Sequence, residues 1–438
     1  MIKQTHTELL NIDGELETLP ADTYTVQQAV NLLGFGWFHV KLSLFVGLCW
    51  MADSMEMTIL SIIGPTTQCE WNISTYQKAF MTTIVFLGMM ISPLFWTQLS
   101  DRYGRKSALT FCGILLVLYS LLCSVAPNFT WLIILRALVG FSIGCIPQSV
   151  TLYAEFLPAK HKGKCVILMD CFWALGACFE IALALAIYPN FGWRWLLGFS
   201  TAPLLLFTSL TPIAKDNNRQ MLIGRLTNDC EINPPHQLKA LFKPELRKIT
   251  LLLWFLWMSC AFCYYGLVLI SAEVFLSDKI KQTPSHNCNS FNTKDFMDLM
   301  WITFSEFPGI FSTIAAIKRY GKKKTMALQF IVFSVCISIL SLSNSRIYTT
   351  AVLFLARGVI SGLFQAAYIY TPDIYPNNLR SLGVGGCSTI ARIGAMVTPF
   401  VSQVLFQSSA SSAFMVYTLI GLSSAVACIL LPESQILV

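Results

Sequence analysis

Charge is scarce in this sequence: 12% of its 438 residues are Asp, Glu, Lys or Arg, whereas 55% are hydrophobic. Mean hydropathy is +0.61. A soluble chain of this length needs far more polar surface to cover its core, and lipid-facing helices need none, so a soluble fold is excluded. Histidine is scarcer still. His6, His39, His161, His236 and His286 are scattered without metal-ligand spacing, which leaves no constellation for metal-assisted catalysis. A phosphate-cradling glycine loop is missing too. Its nearest echo, "GVGG" at 383–386, lies inside an apolar run, where small-residue helix packing explains it better. No enzyme activity, cofactor or metal is therefore expected. No cleavable leader is read at the N-terminus, where polar and acidic residues (Glu8, Asp13, Glu15, Glu17, Asp22) suggest a loosely ordered cytosolic tail.

Apolar runs, in contrast, are plentiful. A membrane-spanning helix needs about 20 mostly apolar residues. Twelve windows qualify, at roughly 38–63, 80–99, 107–126, 131–152, 165–187, 194–213, 248–270, 299–317, 325–343, 347–371, 382–406 and 411–431. Most of the fifteen cysteines, among them Cys112, Cys123, Cys171, Cys178, Cys260, Cys336 and Cys428, fall inside these runs. There they read as small packing residues rather than metal ligands or redox pairs. Cys69 and Cys288 fall in connections on one side and are candidates to pair.

The connections sort the basic residues. With an even number of spans, both termini share one side with alternate loops. On that side lie Lys3, Arg102, Arg105, Lys106, Lys160, Lys162, Lys164, the basic run between Lys215 and Lys248, Lys318 to Lys324, and Arg380. The opposite side has only Lys78, Arg194, Lys279, Lys281, Lys294 and Arg346. Basic residues gather on cytosolic loops, so the net charge of +7 is a topology signal and no nucleic-acid partner is expected. The sequons at Asn72 and Asn128 fall on the far side, close to the membrane.

The chain also repeats itself. "DRYGRKSAL" after the second span returns as "KRYGKKKTMAL" (318–328) after the eighth. "EFLPAKHKG" (155–163) returns as "DIYPNNLRS" (373–381), and "LRALVG" in span four is matched by "LARGVISG" in span ten. These copies sit 217 to 221 positions apart, half the chain. The expected architecture is thus an all-α membrane protein of twelve helices in two pseudo-symmetric six-helix halves. The divisions are a tail (1–37), a first half (38–213), a cytosolic linker (214–247), a second half (248–431) and a short cytosolic end (432–438). Parallel repeats of this kind rock around a site near the midplane.

The repeated loops are charge clusters. Gly104 lets the chain bend sharply, while Asp101, Arg102, Arg105 and Lys106 can reach carboxylates or helix ends nearby. Glu155 is the expected partner in the first half, and Lys162, Asp373 and Arg380 belong to the matching clusters. Such latches can hold one side closed and release as the halves rock; plain topology and helix-end anchoring is the alternative.

The first loop resembles the major facilitator superfamily signature G-x-L-A-D-R-x-G-R-[KR]-x-x-[LI], with Thr97 in place of the leading Gly and Lys318 in place of the Asp in the second copy. "RALVGFSIG" (Arg136, Gly140, Gly144) resembles the superfamily's fourth-span pattern, and "LPES", with Glu433, its closing Pro-Glu-Ser element. The first half ends in "LTPIAK" without that Glu-Ser. More narrowly, "WMADSMEMTILSI", "CEW", "GFSIGCIPQSVTLYAEFLP", "GWRWLL", "SEFPG", "KKKTMAL" and "FQAAYIYTPDIYP" resemble the synaptic vesicle two-related proteins, from about residue 25 to the C-terminus. The linker is short beside the usual form of that family. The resemblance implies a multi-pass, transporter-like protein of vesicle membranes, related to organic-ion transporters, with the plasma membrane as another possible address.

Ionisable groups at membrane depth cost about 2.5–3.5 kcal/mol each on insertion scales and so default to functional candidates. They are Asp53 and Glu56 in span one, Arg136 in span four, Asp170 and Glu180 in span five, Glu306 in span eight, Arg357 in span ten and Arg392 in span eleven. One reading sets Asp53, Glu56, Glu306 and Arg392 around a central cavity, with Glu180 a further candidate for substrate or proton coupling. Neighbouring carboxylates can carry a coupled proton or pair with an organic cation, and Arg392 can serve as counter-ion or hold an anion. The other reading is a set of buried acid–arginine pairs that lock helices together, favoured for Arg136 and Arg357, with Asp170 left between the two. Trp50, Trp173, Tyr264, Tyr265, Tyr368 and Tyr370 are candidate cavity walls. Together these features point to a secondary carrier that moves a small organic ion by alternating access as a monomeric unit. A non-transporting vesicle protein that keeps the fold for binding or trafficking is the alternative.

Overall fold

The computed structural model describes residues 34–146, 168–210, 238–282, 291–342, 345–376 and 379–433, with a few isolated positions outside these stretches. Its helices are α1 (Trp37–Trp71), α2 (Thr75–Tyr103), α3 (Arg105–Ser124), α4 (Phe129–Ile143), α5 (Asp170–Ser200) and α6 (Ala202–Leu210) in the first half of the chain. In the second half come α7 (Pro244–Gln282), α8 (Thr293–Phe304), α9 (Glu306–Tyr320), α10 (Lys322–Leu340), α11 (Arg346–Ile374), α12 (Arg380–Pro399) and α13 (Ala410–Leu430). A π-helical segment, Phe400–Leu405, continues α12 toward α13.

Among the described residues, nine helical stretches are long and apolar enough to cross a membrane. Each of the twelve apolar windows nonetheless has its helix. The Asp170–Ser209 stretch holds two windows, because non-helical Gly192 (φ 78) breaks it between them. The 29-residue α2 and the shorter apolar α4 take two more. Large apolar side chains such as Leu118, Leu121, Leu419, Val426 and Ile429 cover the outside of the bundle, as lipid contact requires.

Local signals place the helix ends. Ser74 and Gln77 form a reciprocal capping box at the start of α2, and the Asn128 carboxamide oxygen accepts the Trp131 N–H at 3.0 Å to begin α4. The two repeated loops turn on Gly104 (φ 85) and Gly321 (φ 82). That left-handed region is cheap only for glycine, so the repeat in sequence is also a repeat in backbone. Span eight is interrupted at Ser305: α8 ends at Phe304 and α9 begins at Glu306, with Pro308 in its first turn.

Two features of the polar segments differ from expectation. The tail contains an antiparallel pair, β1 (Glu8–Leu10) with β2 (Leu16–Thr18), and β3 (Thr23–Tyr24) pairs with β4 (Arg225–Leu226). The linker also yields residues to the bundle before 248. Leu241, in the 3-10 turn Leu238–Phe242, is buried and accepts a hydrogen bond from Thr250, and α7 already begins at Pro244.

Candidate functional site

Between the two sequence halves lies a cavity of about 760 Å³, part of it open to solvent. The first half contributes α1, α2 and α5; the second contributes α7, α11 and α12. Within each half, two of these helices approach closely. A Cβ at Gly176 would strike the Met51 carbonyl, binding α5 to α1, and one at Gly394 would strike the Met258 carbonyl, binding α12 to α7. Ser54 donates to the Trp173 carbonyl at 2.6 Å and fixes α5 along α1.

Eight of its eighteen lining residues are aromatic. Trp50 and Trp173 meet edge-on at 5.7 Å, Phe86 packs on Tyr265 across the halves at 4.8 Å, and Trp257 stands edge-on to Tyr368 at 4.5 Å. Three charged residues share this wall: Asp53 and Asp170 from the first half, Arg392 from the second. Asp53 is 5% exposed, and its Oδ1 is buried without a hydrogen-bond partner. Arg392 Nη1 donates to the Ser388 carbonyl and hydroxyl, both at 3.0 Å, and its Nε is buried without a partner.

The remaining intramembrane charges stand elsewhere. Glu56 is withdrawn from the cavity into an ion pair with Arg136 at 2.8 Å and also accepts the Ser120 hydroxyl at 2.6 Å. Glu180 is buried with Ser200, whose hydroxyl donates at 2.9 Å. Glu306 pairs with Arg357 at 2.7 Å and accepts the Tyr264 hydroxyl at 2.9 Å. Tyr264 in turn accepts the Trp173 indole N–H at 2.6 Å, so the second-half pair is wired to the cavity wall of the first. The structure thus divides the predicted set: Asp53, Asp170 and Arg392 face the cavity, while Glu56 and Glu306 neutralise the two arginines.

Of the predicted cytosolic latches, the second half is described in part. Lys322, from the repeated loop, pairs with Asp373 at the end of α11. Arg380 and Glu433 are exposed, and the Tyr370 hydroxyl donates to the Pro432 carbonyl at 2.5 Å, holding Pro432 against α11. In the first half Arg102 is exposed and lies over Tyr103 at 5.4 Å, while Gly104 turns the loop. Asp101, Arg105 and Lys106 are described only in backbone, and Glu155 and Lys162 lie outside the described residues.

Sequence reasoning missed a buried ion pair that joins the halves. At the face of the α1–α2 turn, Lys78 of α2 pairs with Glu273 of α7 at 2.6 Å, the two residues 1% and 6% exposed. Thr75 donates to Gln407 at 2.6 Å and Thr83 to the Met396 carbonyl at 3.0 Å, where α2 runs along α12 and the helical segments that follow it. Lys78 and Glu273 fall just outside the apolar windows 80–99 and 248–270, while their helices, α2 and α7, continue past them. Cys69, on the same face, is disulfide-bonded, and Cys288 lies outside the described residues. Cys260 and Cys263, though spaced C-x-x-C, are buried and free. Among the described residues no group of three or more His, Cys, Asp or Glu is placed to hold a metal ion.

Comparison with known proteins agrees with this architecture. A family model described as the Major Facilitator Superfamily matches residues 45–280 and 289–436. The synaptic vesicle 2-related protein of Rattus norvegicus is 44% identical over 445 residues, covering 94% of this chain and 81% of that protein. Organic cation/carnitine transporter 7 of Arabidopsis thaliana is 34% identical, covering 86% of this chain and 88% of its own length. Among solved structures, the xylose transporter XylE from E. coli, in its inward open conformation, superposes with a TM-score of 0.71 over 90% of this chain and 97% of that one. At 13% identity that likeness speaks to the fold alone.

Proposed function

The chain belongs to the Major Facilitator Superfamily, and from that premise we propose that it carries a small organic ion across a membrane by alternating access. The observation that supports this reading best is the cavity, whose carboxylates and guanidinium come from opposite halves of the chain. A cargo held between Asp53 and Arg392 touches both moving parts, so its binding depends on how the halves stand to one another. The seam of Lys78–Glu273, Thr75–Gln407 and Thr83–Met396 is the closed gate in this scheme. By the distribution of basic loops, that gate faces the lumen or exterior and both termini are cytosolic. Proton coupling is part of the proposal, with Asp53 as the group that exchanges a proton with the cavity, since it is the buried carboxylate with an unpartnered oxygen on the cavity wall. The kinship to a synaptic vesicle 2-related protein supports a vesicle membrane as the address.

Uptake by purified protein in sealed liposomes tests the proposal. A panel of organic cations, anions and neutral metabolites is presented with and without an imposed pH gradient. Saturable uptake of an organic ion, accelerated by the gradient, is expected. Absence of uptake of every probe by folded protein would overturn it in favour of a binding or trafficking role without transport.

A further inference from the structure

The two copies of the glycine loop share a backbone plan but differ sharply in charge. The seven residues Asp101 to Ser107 hold three basic residues and one acid, whereas the seven from Lys318 to Lys324 hold five basic residues and no acid. Topology alone asks for no such excess, since the first copy marks the same side with less. Helix stability argues against it as well. Lys322, Lys323 and Lys324 open α10, whose first turn has no acid, and cations at that end oppose the helix dipole. Gly321, at the cap position, offers no side-chain acceptor to the first N–H groups of the helix.

The exposed side chains of this loop continue the lipid-facing stripes of their helices. On α9, Phe311 is exposed, and Lys318 and Arg319 follow it seven and eight positions on, along the same face. On α10, exposed Lys324 heads a face continued by exposed Leu328, Ile331 and Val335, four, seven and eleven positions on. Both stripes therefore end in basic residues at headgroup level. Exposed Tyr320 stands between them, its ring centre 5.6 Å from the Arg319 guanidinium, as suits an aromatic residue at a membrane interface. Lys322 is held by Asp373, but no ion pair engages Lys318, Arg319 or Lys324 among the described residues.

We propose that this loop, on the face that the basic connections assign to the cytosol, docks the headgroup of a polyphosphoinositide in the adjoining leaflet. Lys318, Arg319 and Lys324 hold its phosphates together with the N-terminus of α10, and its acyl chains lie along Phe311, Leu328 and Ile331. One headgroup with several phosphates neutralises a cluster this dense. A lipid of single charge leaves most of it unmatched. The surface lies outside the cavity, and the inference stands whether or not the chain is a carrier.

Native mass spectrometry of the full-length protein tests it. The protein is released from micelles that hold equal amounts of phosphatidylinositol bisphosphate, phosphatidylserine and phosphatidylcholine, and the lipid adducts are counted. The bisphosphate is expected to be retained at least about tenfold more than phosphatidylserine. Lys318→Gln/Arg319→Gln/Lys324→Gln should lower its retention at least about tenfold. Lys243→Gln/Arg247→Gln/Lys248→Gln, which removes as many exposed charges at the start of α7, should leave it unchanged. Lys318→Asp, which restores the acid of the first copy, is a milder variant that should also lower it. Equal retention of phosphatidylserine by the unmodified protein would reduce the loop to a general anionic surface and overturn the inference. So would equal losses in the two triple variants, which would trace retention to net charge. Absence of the bisphosphate from folded, monodisperse protein would overturn it outright.

Discussion

Replacing Glu273 by Gln removes the negative charge 2.6 Å from Lys78 Nζ and leaves an ammonium group that is 1% exposed without its counter-charge. Breaking a buried ion pair by deleting one partner costs about 3–5 kcal/mol. Under the alternating-access proposal this cost falls on the conformation in which α2 and α7 meet, because opening the seam lets water reach Lys78. At one decade per about 1.4 kcal/mol, even the lower figure moves the balance between conformations by about a hundredfold. A reporter for the opening is at hand in Gln403, 1% exposed; like Lys78, it packs toward Gly64. In Gln403→Cys protein, labelling by an impermeant thiol reagent from that face should be slow, and Glu273→Gln should speed it by about two orders of magnitude. The doubly substituted Lys78→Met/Glu273→Met protein should label slowly again, since an apolar pair replaces the ionic one with little penalty. Unchanged labelling in folded Glu273→Gln protein would refute the gate. So would a double variant that labels as fast as the single one.

Other outcomes follow from the same contacts. Arg136→Gln leaves Glu56 buried without its counter-charge and should cost about 3–5 kcal/mol, read as a lowered thermal transition. Asp53→Asn, which breaks no ion pair among the described residues, should keep the transition and lose uptake; a destabilised Asp53→Asn protein with normal uptake would reverse these assignments. Gly140→Val would drive a side chain into the Val85 backbone, so α2 and α4 should separate and monodisperse protein should be lost on size-exclusion chromatography. Lys322 and Asp373 form an exposed pair worth about 0–1 kcal/mol. Asp373→Asn should therefore leave stability within that range while changing the transport rate, and the exchange Lys322→Asp/Asp373→Lys should bring the rate back toward the parent.

Much of the bundle was legible in the sequence because lipid imposes a simple rule: about 20 apolar residues per crossing, charges outside. The repeated glycine loops were equally readable, since Gly104 and Gly321 adopt nearly the same left-handed turn. Individual charge roles were harder to read. Asp53 and Glu56 lie three apart on one helix and look alike in sequence. Which one faces the cavity depends on where α3 and α4 place Ser120 and Arg136, a matter of packing between helices far apart in the chain. Likewise Arg392 and Arg357 are both single arginines in apolar runs, and only Glu306, brought over by the break at Ser305, distinguishes the neutralised one. The Lys78–Glu273 contact joins residues 195 positions apart and had no local signal beyond two charges at the margins of apolar windows.

A structure determined with whichever organic ion the liposomes accumulate tests the central proposal most directly. The cargo is expected in the cavity between Asp53 and Arg392, with the indoles of Trp50 and Trp173 against it. An accumulated ion bound elsewhere, with that cavity unchanged, would contradict the proposed site and the route of transport built on it.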